Sequence, residues 1–211
     1  MRTDIWAQAA LVALSYLAGG IPTGYLVVRR LMDIDIRQRG SGNPGTANVY
    51  RVAGAKAGAV TLLVDALKGF VPVLIAHRLY PEQPWFVVLC GAAALIGHDW
   101  TVFLGFKGGK GVATSAGVFA ALTPQPMSLT LMCFLGGMWG SGHISMGSLC
   151  AAAILPVLCL LLGAPHPYTV AALAASLLIV YKHIPNIKRL RREHALAFRF
   201  EGRSAAAGKR S

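Results

Sequence analysis

Charged residues are scarce in this sequence of 211 residues. They make up 13% of the chain, and only 8 residues are acidic; a soluble domain typically carries roughly twice that charged fraction. In their place 55% of the residues are apolar, and apolar runs of about twenty residues, long enough to cross a bilayer core, recur along the chain. Such runs must be helical because lipid satisfies no backbone hydrogen bonds, and the alternating pattern of a membrane barrel is absent. The composition therefore predicts an all-α polytopic membrane protein.

Motifs for metal binding and for covalent catalysis are also missing. The sequence contains no H-E-x-x-H pair, no paired-cysteine motif and no G-x-S-x-G elbow. Each cysteine stands alone in an apolar run, which indicates a packing residue. These cysteines are Cys90, Cys133, Cys150 and Cys159. No metal site is therefore predicted.

Seven apolar segments predict seven transmembrane helices. Their approximate bounds are 5–28, 55–79, 85–104, 111–123, 127–144, 147–163 and 167–184. The fourth is short and follows a glycine-rich loop, as in membrane proteins whose backbone dips into the bilayer around a site. Residues 1–198 are expected to form a single transmembrane domain, and the polar residues 199–211 a disordered tail.

Lysine and arginine are distributed asymmetrically between these segments. With an odd number of spans, the polar and glycine-rich connections can all lie on one side of the membrane. That side then holds 16 of the 20 Lys and Arg residues, with Lys56 and Lys68 inside the second span and only Arg2 and Arg78 towards the opposite side. The positive-inside rule places the amino terminus outside and the carboxyl terminus in the cytoplasm. The same rule accounts for the net charge of +12 without a nucleic-acid partner.

The stretch RQRGSGNPGTANVYRVAG, residues 37–54, is the first candidate for anion binding. Its glycines allow backbone conformations that other residues avoid, and its serine and asparagine side chains offer short hydrogen-bonding groups. Its last arginine carries a planar set of donors that suits phosphate. The alternative is an ordinary polar turn that caps the following helix. The candidate binding residues are Ser41, Gly42, Asn43 and Arg51.

The stretch GFKGGKGVATSAG, residues 105–117, is the second candidate. It is not a Walker A loop, because Leu104 stands where that motif needs glycine and Gly111 where it needs serine or threonine. Successive N–H groups of a glycine loop can nevertheless form an anion-binding concavity, and the helix that begins near Gly111 points its positive end at the same place. The alternative is a basic turn that contacts lipid headgroups. The candidate residues are Lys107, Gly108, Gly109, Lys110 and Gly111.

The stretch YKHIPNIKRLRR, residues 181–192, is the third candidate. His183 and Asn186 stand three apart and share a helix face, and a histidine can act as base, acid or neutral donor. The basic run that follows is typical of a cytoplasmic anchor. Ser145 is expected at the same cytoplasmic level of the membrane as these three stretches. Inside the second span, Asp65 and Lys68 are costly enough at that depth to suggest a role, unless they simply neutralise each other.

Several of these stretches together resemble a known family. GSGNPGTANVYRVAG, DALKG, GHDWTVFLGFKGGKGVAT and HIPNIKRL follow one another in the order and spacing of the bacterial acyl-phosphate-dependent glycerol-3-phosphate acyltransferases, the PlsY family. The likeness covers about residues 15–190. The residues that fall on the family's motifs are Ser41 and Arg51, Gly108 to Gly111, Ser145, and His183 and Asn186.

The resemblance implies a seven-span enzyme of the bacterial cytoplasmic (inner) membrane, with lipid around it and its active site facing the cytoplasm. The enzyme would transfer an acyl chain from acyl-phosphate to the 1-hydroxyl of glycerol 3-phosphate and would need no cofactor. The products would be lysophosphatidic acid and phosphate, in the first step of phospholipid synthesis. The upstream enzyme that forms acyl-phosphate is a candidate partner.

Two questions stay open on the sequence alone. Either His183 or a phosphate oxygen of the acyl-phosphate takes the proton of the attacking hydroxyl. The competing function is a membrane transporter or channel for an organic phosphate, which short spans and glycine loops at membrane depth also suit.

Overall fold

The computed structural model describes the backbone of residues 5–207 and the side chains of residues 5–188. Every regular element in this part is helical. The α-helices are α1 (Ile5–Gly20), α2 (Thr23–Met32), α3 (Thr46–Leu79), α4 (Pro84–Asp99), α5 (Val112–Leu122), α6 (Pro124–Ser141), α7 (Ile144–Leu161) and α8 (His166–Ala207), with short 3₁₀ turns at Ile36–Gln38 and Val102–Leu104. The predicted tail, 199–211, lies outside the residues whose side chains are described and stays a prediction.

The first span is not the continuous helix predicted over 5–28. It breaks between Gly20 and Thr23, because Pro22 has no N–H to donate and its ring obstructs the preceding turn. Hydropathy does not reveal the break, since the apolar run continues across it. Taking α1 and α2 as one interrupted segment, the described chain forms seven helices or helix pairs in sequence.

Two further helix bounds differ from the sequence expectation. Helix α3 begins at Thr46 rather than near 55, but it is interrupted at Gly54, where φ is 84°. Residues 46–53 therefore form a separate helical stretch before the predicted second span. The last helix continues through Pro185, whereas the predicted span ended at 184. A proline kinks a helix without always ending it, and polar residues also extend helices beyond the membrane.

The predicted number of membrane spans, seven, exceeds the number of described helices that are both long enough and apolar enough to cross a membrane. The segments that meet both criteria within the described residues are Ile5–Met32, Thr46–Leu79, Pro84–Leu104, Ile144–Leu161 and His166–Lys188. Helix α5 has 11 residues and is about 16 Å long, roughly half a hydrocarbon core. Helix α6 begins with Pro124 and contains polar and glycine residues that dilute its apolar ones. The protein is thus all-helical with five long apolar spans.

Glycines permit close packing at several helix crossings. A side chain on Gly19 would collide with the carbonyl of Ala94, and one on Gly117 with the carbonyl of Ala66. Small residues at such crossings let the backbones of neighbouring membrane helices approach. The predicted packing role of the cysteines holds for Cys90 and Cys159, which are buried, and Cys150 is partly buried. Cys133 is exposed on α6 instead, and all four are unpaired.

Candidate active site

The predicted site residues gather at one end of the helix bundle. At this end an open groove of about 600 Å³ runs between the loop before α3, the glycine loop before α5 and helix α8. Of the residues predicted to bind an anion, Gly42, Lys107 and Gly108 line this groove. Arg37 and Lys182 line it too, and both were missed as site residues. Only their positions next to candidate residues could have indicated them from the sequence. Arg37 precedes the first glycine turn, and Lys182 precedes His183.

A chain of polar contacts joins three of the predicted residues beside this groove. The Lys110 ammonium donates to Oδ1 of Asn186 over 2.8 Å. Nδ2 of Asn186 donates in turn to Oγ of Ser145, also over 2.8 Å. The glycine loop, the start of α7 and helix α8 therefore meet at one amide. Because that amide is bonded on both sides, it is held in one orientation, with the cation of Lys110 beside it.

His183 lies one turn before Asn186 on the same helix. Its side chain is only 3% exposed, and its Nδ1 lies 2.8 Å from the carbonyl oxygen of Ile179. A carbonyl accepts only, so Nδ1 carries the hydrogen and the neutral ring keeps its lone pair on Nε2. Nε2 is then the atom that can accept a proton or a hydrogen bond.

The N–H groups of two loop glycines are already engaged. Gly108 donates to the carbonyl of Asp99 over 3.3 Å, and Gly109 to the carbonyl of His98 over 3.0 Å. Both N–H groups therefore have backbone partners in the conformation described, and the expectation that they bind an anion stays a prediction. Glycine is needed for close approach instead, because a Cβ on Gly108 would meet the His98 carbonyl and one on Gly109 the His98 ring.

Gly111 begins the short helix α5, as the sequence predicts. It takes the N-cap position with φ 73°, in the left-handed region that favours glycine. A Cβ there would lie 3.2 Å from Oδ1 of Asp99. The Asp99 carboxylate is fully buried, and neither of its oxygens has a hydrogen-bond partner in the described part of the chain. The N-terminal end of α5 thus faces the buried side chain of Asp99.

Asn48 organises the first predicted binding loop. Its Oδ1 accepts from the backbone N–H of Ser41 over 2.9 Å and from Nη1 of Arg51 over 3.4 Å. Its Nδ2 donates to the carbonyl of Arg39 over 2.9 Å. Asn43 closes the next turn by accepting from the Gly45 N–H over 2.9 Å. Asn48 thus connects several parts of the loop, and Gly45 takes the N-cap position of α3.

Arg37 does not contribute a full charge to the groove. Its guanidinium donates to Asp35 from Nε over 3.0 Å and from Nη2 over 2.7 Å. These hydrogen bonds hold the pKa of the Asp35 carboxyl below its ordinary value and raise the pKa of Arg37. Asp35 is therefore ionised near neutral pH and cancels the charge of Arg37. Lys182 stacks over the Trp100 ring at 4.4 Å and donates to the Asp99 carbonyl over 3.0 Å.

The chain is similar to proteins of one family along most of its length. Residues 9–193 match the family model described as glycerol-3-phosphate acyltransferase. Over 184 residues the chain is 45% identical to the glycerol-3-phosphate acyltransferase of Geobacter sulfurreducens. The aligned region covers 87% of this chain and 94% of the relative. The chain is 42% identical over 184 residues to the protein of the same name from Syntrophomonas wolfei. The aligned region covers 87% of this chain and 93% of that relative.

Solved structures agree with the sequence relatives. The crystal structure of PlsY, an integral membrane glycerol 3-phosphate acyltransferase, in its glycerol 3-phosphate form has a TM-score of 0.85 and 36% identity, covering 89% of this chain and 93% of that one. Its lysophosphatidic acid form has a TM-score of 0.82 and 34% identity over the same shares. This chain therefore belongs to the glycerol-3-phosphate acyltransferase family.

Proposed function

We propose that the groove transfers an acyl chain from acyl-phosphate to the 1-hydroxyl of glycerol 3-phosphate. Glycerol-3-phosphate acyltransferase activity, with lysophosphatidic acid as the product, is the function of this chain as a family member. The acyl-phosphate donor is our addition. The observation that carries the proposal is the chain of hydrogen bonds from Lys110 through Asn186 to Ser145, beside His183. This chain places a fixed cation and a proton acceptor at one site. An organic-phosphate transporter, the competing function, has no support from the family.

The donor determines how little chemistry the protein must supply. An acyl-phosphate is a mixed anhydride, so its phosphate is already a good leaving group and no cofactor is required. The 1-hydroxyl oxygen attacks the acyl carbon, the bond from that carbon to the phosphate oxygen breaks, and phosphate leaves with the electron pair. The work of the site is then positioning and charge stabilisation.

We assign the proton of the attacking hydroxyl to Nε2 of His183. The contact from Nδ1 to the Ile179 carbonyl leaves Nε2 as the acceptor on the ring. The imidazolium then returns the proton to the departing phosphate. Lys110 and Asn186 would bind the phosphate of glycerol 3-phosphate together with Arg51. The exposed Lys107 and the turn of Ser41, Gly42 and Asn43 would bind the phosphoryl group of the donor.

The orientation of the protein in the membrane completes the proposal. The chain is an integral, multi-pass membrane protein. We place its amino terminus outside, its carboxyl terminus in the cytoplasm and the groove at the cytoplasmic face of the bacterial inner membrane. The support is that the Lys and Arg residues of the connecting loops lie at the end of the bundle that holds the groove. Glycerol 3-phosphate would enter from water and the acyl chain from lipid.

Orientation is tested by cysteine labelling in intact and opened membrane vesicles. The native cysteines are first replaced, because Cys133 is exposed. Lys107 and Glu82 are exposed at opposite ends of the bundle and suit the probes Lys107→Cys and Glu82→Cys. We expect position 107 to react from the cytoplasmic side only and position 82 from the outside only. Reaction of both from one side contradicts the arrangement.

Activity is tested on purified protein in detergent. The assay follows phosphate release from palmitoyl-phosphate with and without glycerol 3-phosphate, together with formation of lysophosphatidic acid. We expect release that depends on glycerol 3-phosphate and equals the lysophosphatidic acid formed. Lysophosphatidic acid made from acyl-CoA but not from palmitoyl-phosphate would contradict the proposed donor.

A further inference from the structure

A buried ion pair lies in α3, outside the residues assigned to substrate. Nζ of Lys68 lies 2.8 Å from Oδ1 of Asp65, and the two residues are 7% and 2% exposed. Burying such a pair costs desolvation energy that the mutual attraction often fails to recover. In a membrane span this cost is a reason to look for a role beyond neutralisation.

Lys68 holds the break in the first span. Its ammonium also donates to the carbonyl oxygen of Ile21 over 2.8 Å, while Thr101 Oγ1 donates to the neighbouring carbonyl of Gly20 over 2.6 Å. The break removes the usual helical partners of these carbonyls, and the Ile21 carbonyl accepts from the Thr23 N–H as well, over 3.0 Å. Unsatisfied carbonyls at membrane depth are expensive, so these side chains stabilise the break.

The break in turn fixes the first binding loop. Gly24 lies in the first turn of α2 and packs against Pro44 so closely that a Cβ on it would collide with the Pro44 carbonyl. Val49 closes the other side, 2.7 Å from the same Cβ position. The position of α2 therefore determines where the turn of residues 41–45 lies.

His98 connects the same pair to the glycine loop. Its Nδ1 lies 3.9 Å from Oδ1 of Asp65, its ring packs against Gly109, and its carbonyl accepts from the Gly109 N–H. A cavity of about 10 Å³ is bounded at once by Lys68, His98, Pro44 and Gly109. The ion pair therefore lies directly beneath both loops.

We propose that Lys68, neutralised by Asp65, is a positioning residue for acyl transfer. It sets the spacing between the turn of residues 41–45 and the loop of residues 107–111 by fixing the break in the first span. Lys68 touches no substrate in this role and acts through Ile21, α2 and Pro44. The inference rests on the proposed function, because both loops are assigned there to substrate phosphates.

A charge-cancelling double variant separates positioning from neutralisation. Lys68→Met alone leaves Asp65 buried without a counter-ion and is expected to destabilise the fold. Asp65→Asn/Lys68→Met removes both charges, so its thermal stability in detergent should recover. The contact to Ile21 stays lost, and we expect kcat/KM for glycerol 3-phosphate to remain at least about tenfold below wild type. Thr130→Val is the control and should keep wild-type kinetics, because this buried α6 side chain donates to the Pro126 carbonyl of its own helix.

The spacing itself is measured independently of activity. Spin labels on Gln38→Cys and Lys107→Cys, which both line the groove and are exposed, report the distance across it in a background without native cysteines. We expect a shifted or broader distance distribution in the double variant and an unchanged one in Thr130→Val. Because wild-type activity is measured separately, a failed function and a failed positioning role give different results.

A folded double variant with wild-type kinetics and an unchanged distance distribution would overturn the proposal, since the pair would then only neutralise itself. If the double variant does not fold in detergent, Thr101→Val decides by the same two measurements, because it removes the side-chain hydrogen bond to the Gly20 carbonyl at the break. Wild-type kinetics and distances in folded Thr101→Val would show that the break does not set the loop spacing. A change in both supports it.

Discussion

Asn186 accepts a hydrogen bond from Lys110 across a separation of 76 residues in sequence. The contact joins the glycine loop to helix α8, and the same amide donates to Ser145. Because the amide is neutral, it orients the ammonium without cancelling its charge. The amide therefore holds the ammonium of the glycine loop against α8.

Asn186→Asp tests the importance of that neutrality. The carboxylate would pair with Lys110, cancel its charge and lose the donor to Ser145. We expect KM for glycerol 3-phosphate to rise about tenfold or more, equivalent to roughly 1.4 kcal/mol or more, with little change in thermal stability. Ser145→Ala removes only the second hydrogen bond and should have a smaller effect. Equal effects of the two variants would mean that the Ser145 contact, not the charge, matters.

Gly109→Ala is expected to damage folding before it affects binding. The added Cβ would collide with the His98 ring, so we expect a fall of several degrees in Tm, as for an overpacked site costing about 1–3 kcal/mol. Adding His98→Ala makes room, and the double variant should lose less stability than the sum of the single variants. Additive losses would argue against the collision.

Gly105→Ala serves as the matched control for that experiment. Gly105 has a positive φ, 62°, which Gly109 does not have, but a Cβ on Gly105 meets nothing within 4 Å. The substitution should therefore cost only the backbone strain, about 1 kcal/mol. A loss as large as that of Gly109→Ala would mean that a substitution in this loop can cost that much stability without any contact with His98.

Residues that favour helix ends made some elements predictable from sequence. Helix α5 was expected over 111–123 and is Val112–Leu122, because Gly111 and Pro124 mark its ends through their own backbone preferences. The break at Pro22 and the continuation through Pro185 were missed because one proline scarcely changes the hydropathy of a long run. Whether it breaks or only kinks a helix depends on partners for the freed carbonyls.

The contacts inside the site depend on tertiary structure and could not be predicted. The candidate residues were found by chemical type, yet Ser145 and Asn186 are 41 residues apart and meet only because α7 packs against α8. The glycine loop shows most clearly that such contacts cannot be predicted from sequence. Its composition indicated available N–H groups, but the end of α4 lies close enough to accept from both Gly108 and Gly109.

Arg51→Lys tests whether the planar guanidinium is needed. Lysine keeps the charge but loses the paired donors that match a phosphate and the contact to Asn48. We expect kcat/KM to fall at least about tenfold, or roughly 1.4 kcal/mol, with normal expression and stability. Arg30→Lys, at an exposed arginine of α2, is the control and should behave as wild type. Activity near wild type in Arg51→Lys would make Arg51 only a membrane anchor.

Asp35→Asn tests the charge of the groove. Asn still accepts the hydrogen bond from the Arg37 N–H that Asp35 accepts now over 2.9 Å, so the local turn should persist, but the charge of Arg37 is no longer cancelled. The groove becomes more positive, and we expect KM for glycerol 3-phosphate to fall about twofold to fivefold at low ionic strength and to return towards wild type at high salt.

The matched control for the groove charge is Asp33→Asn. Asp33 pairs with Arg29 over 3.2 Å, and its side chain is 88% exposed. The net charge changes by the same amount, but neither residue lines the groove, so KM should stay at its wild-type value. If both variants lower KM equally, the protein's overall charge attracts the substrate. If neither does, the substrate does not pass Arg37. Only a selective, salt-sensitive effect of Asp35→Asn places the path of glycerol 3-phosphate along this groove.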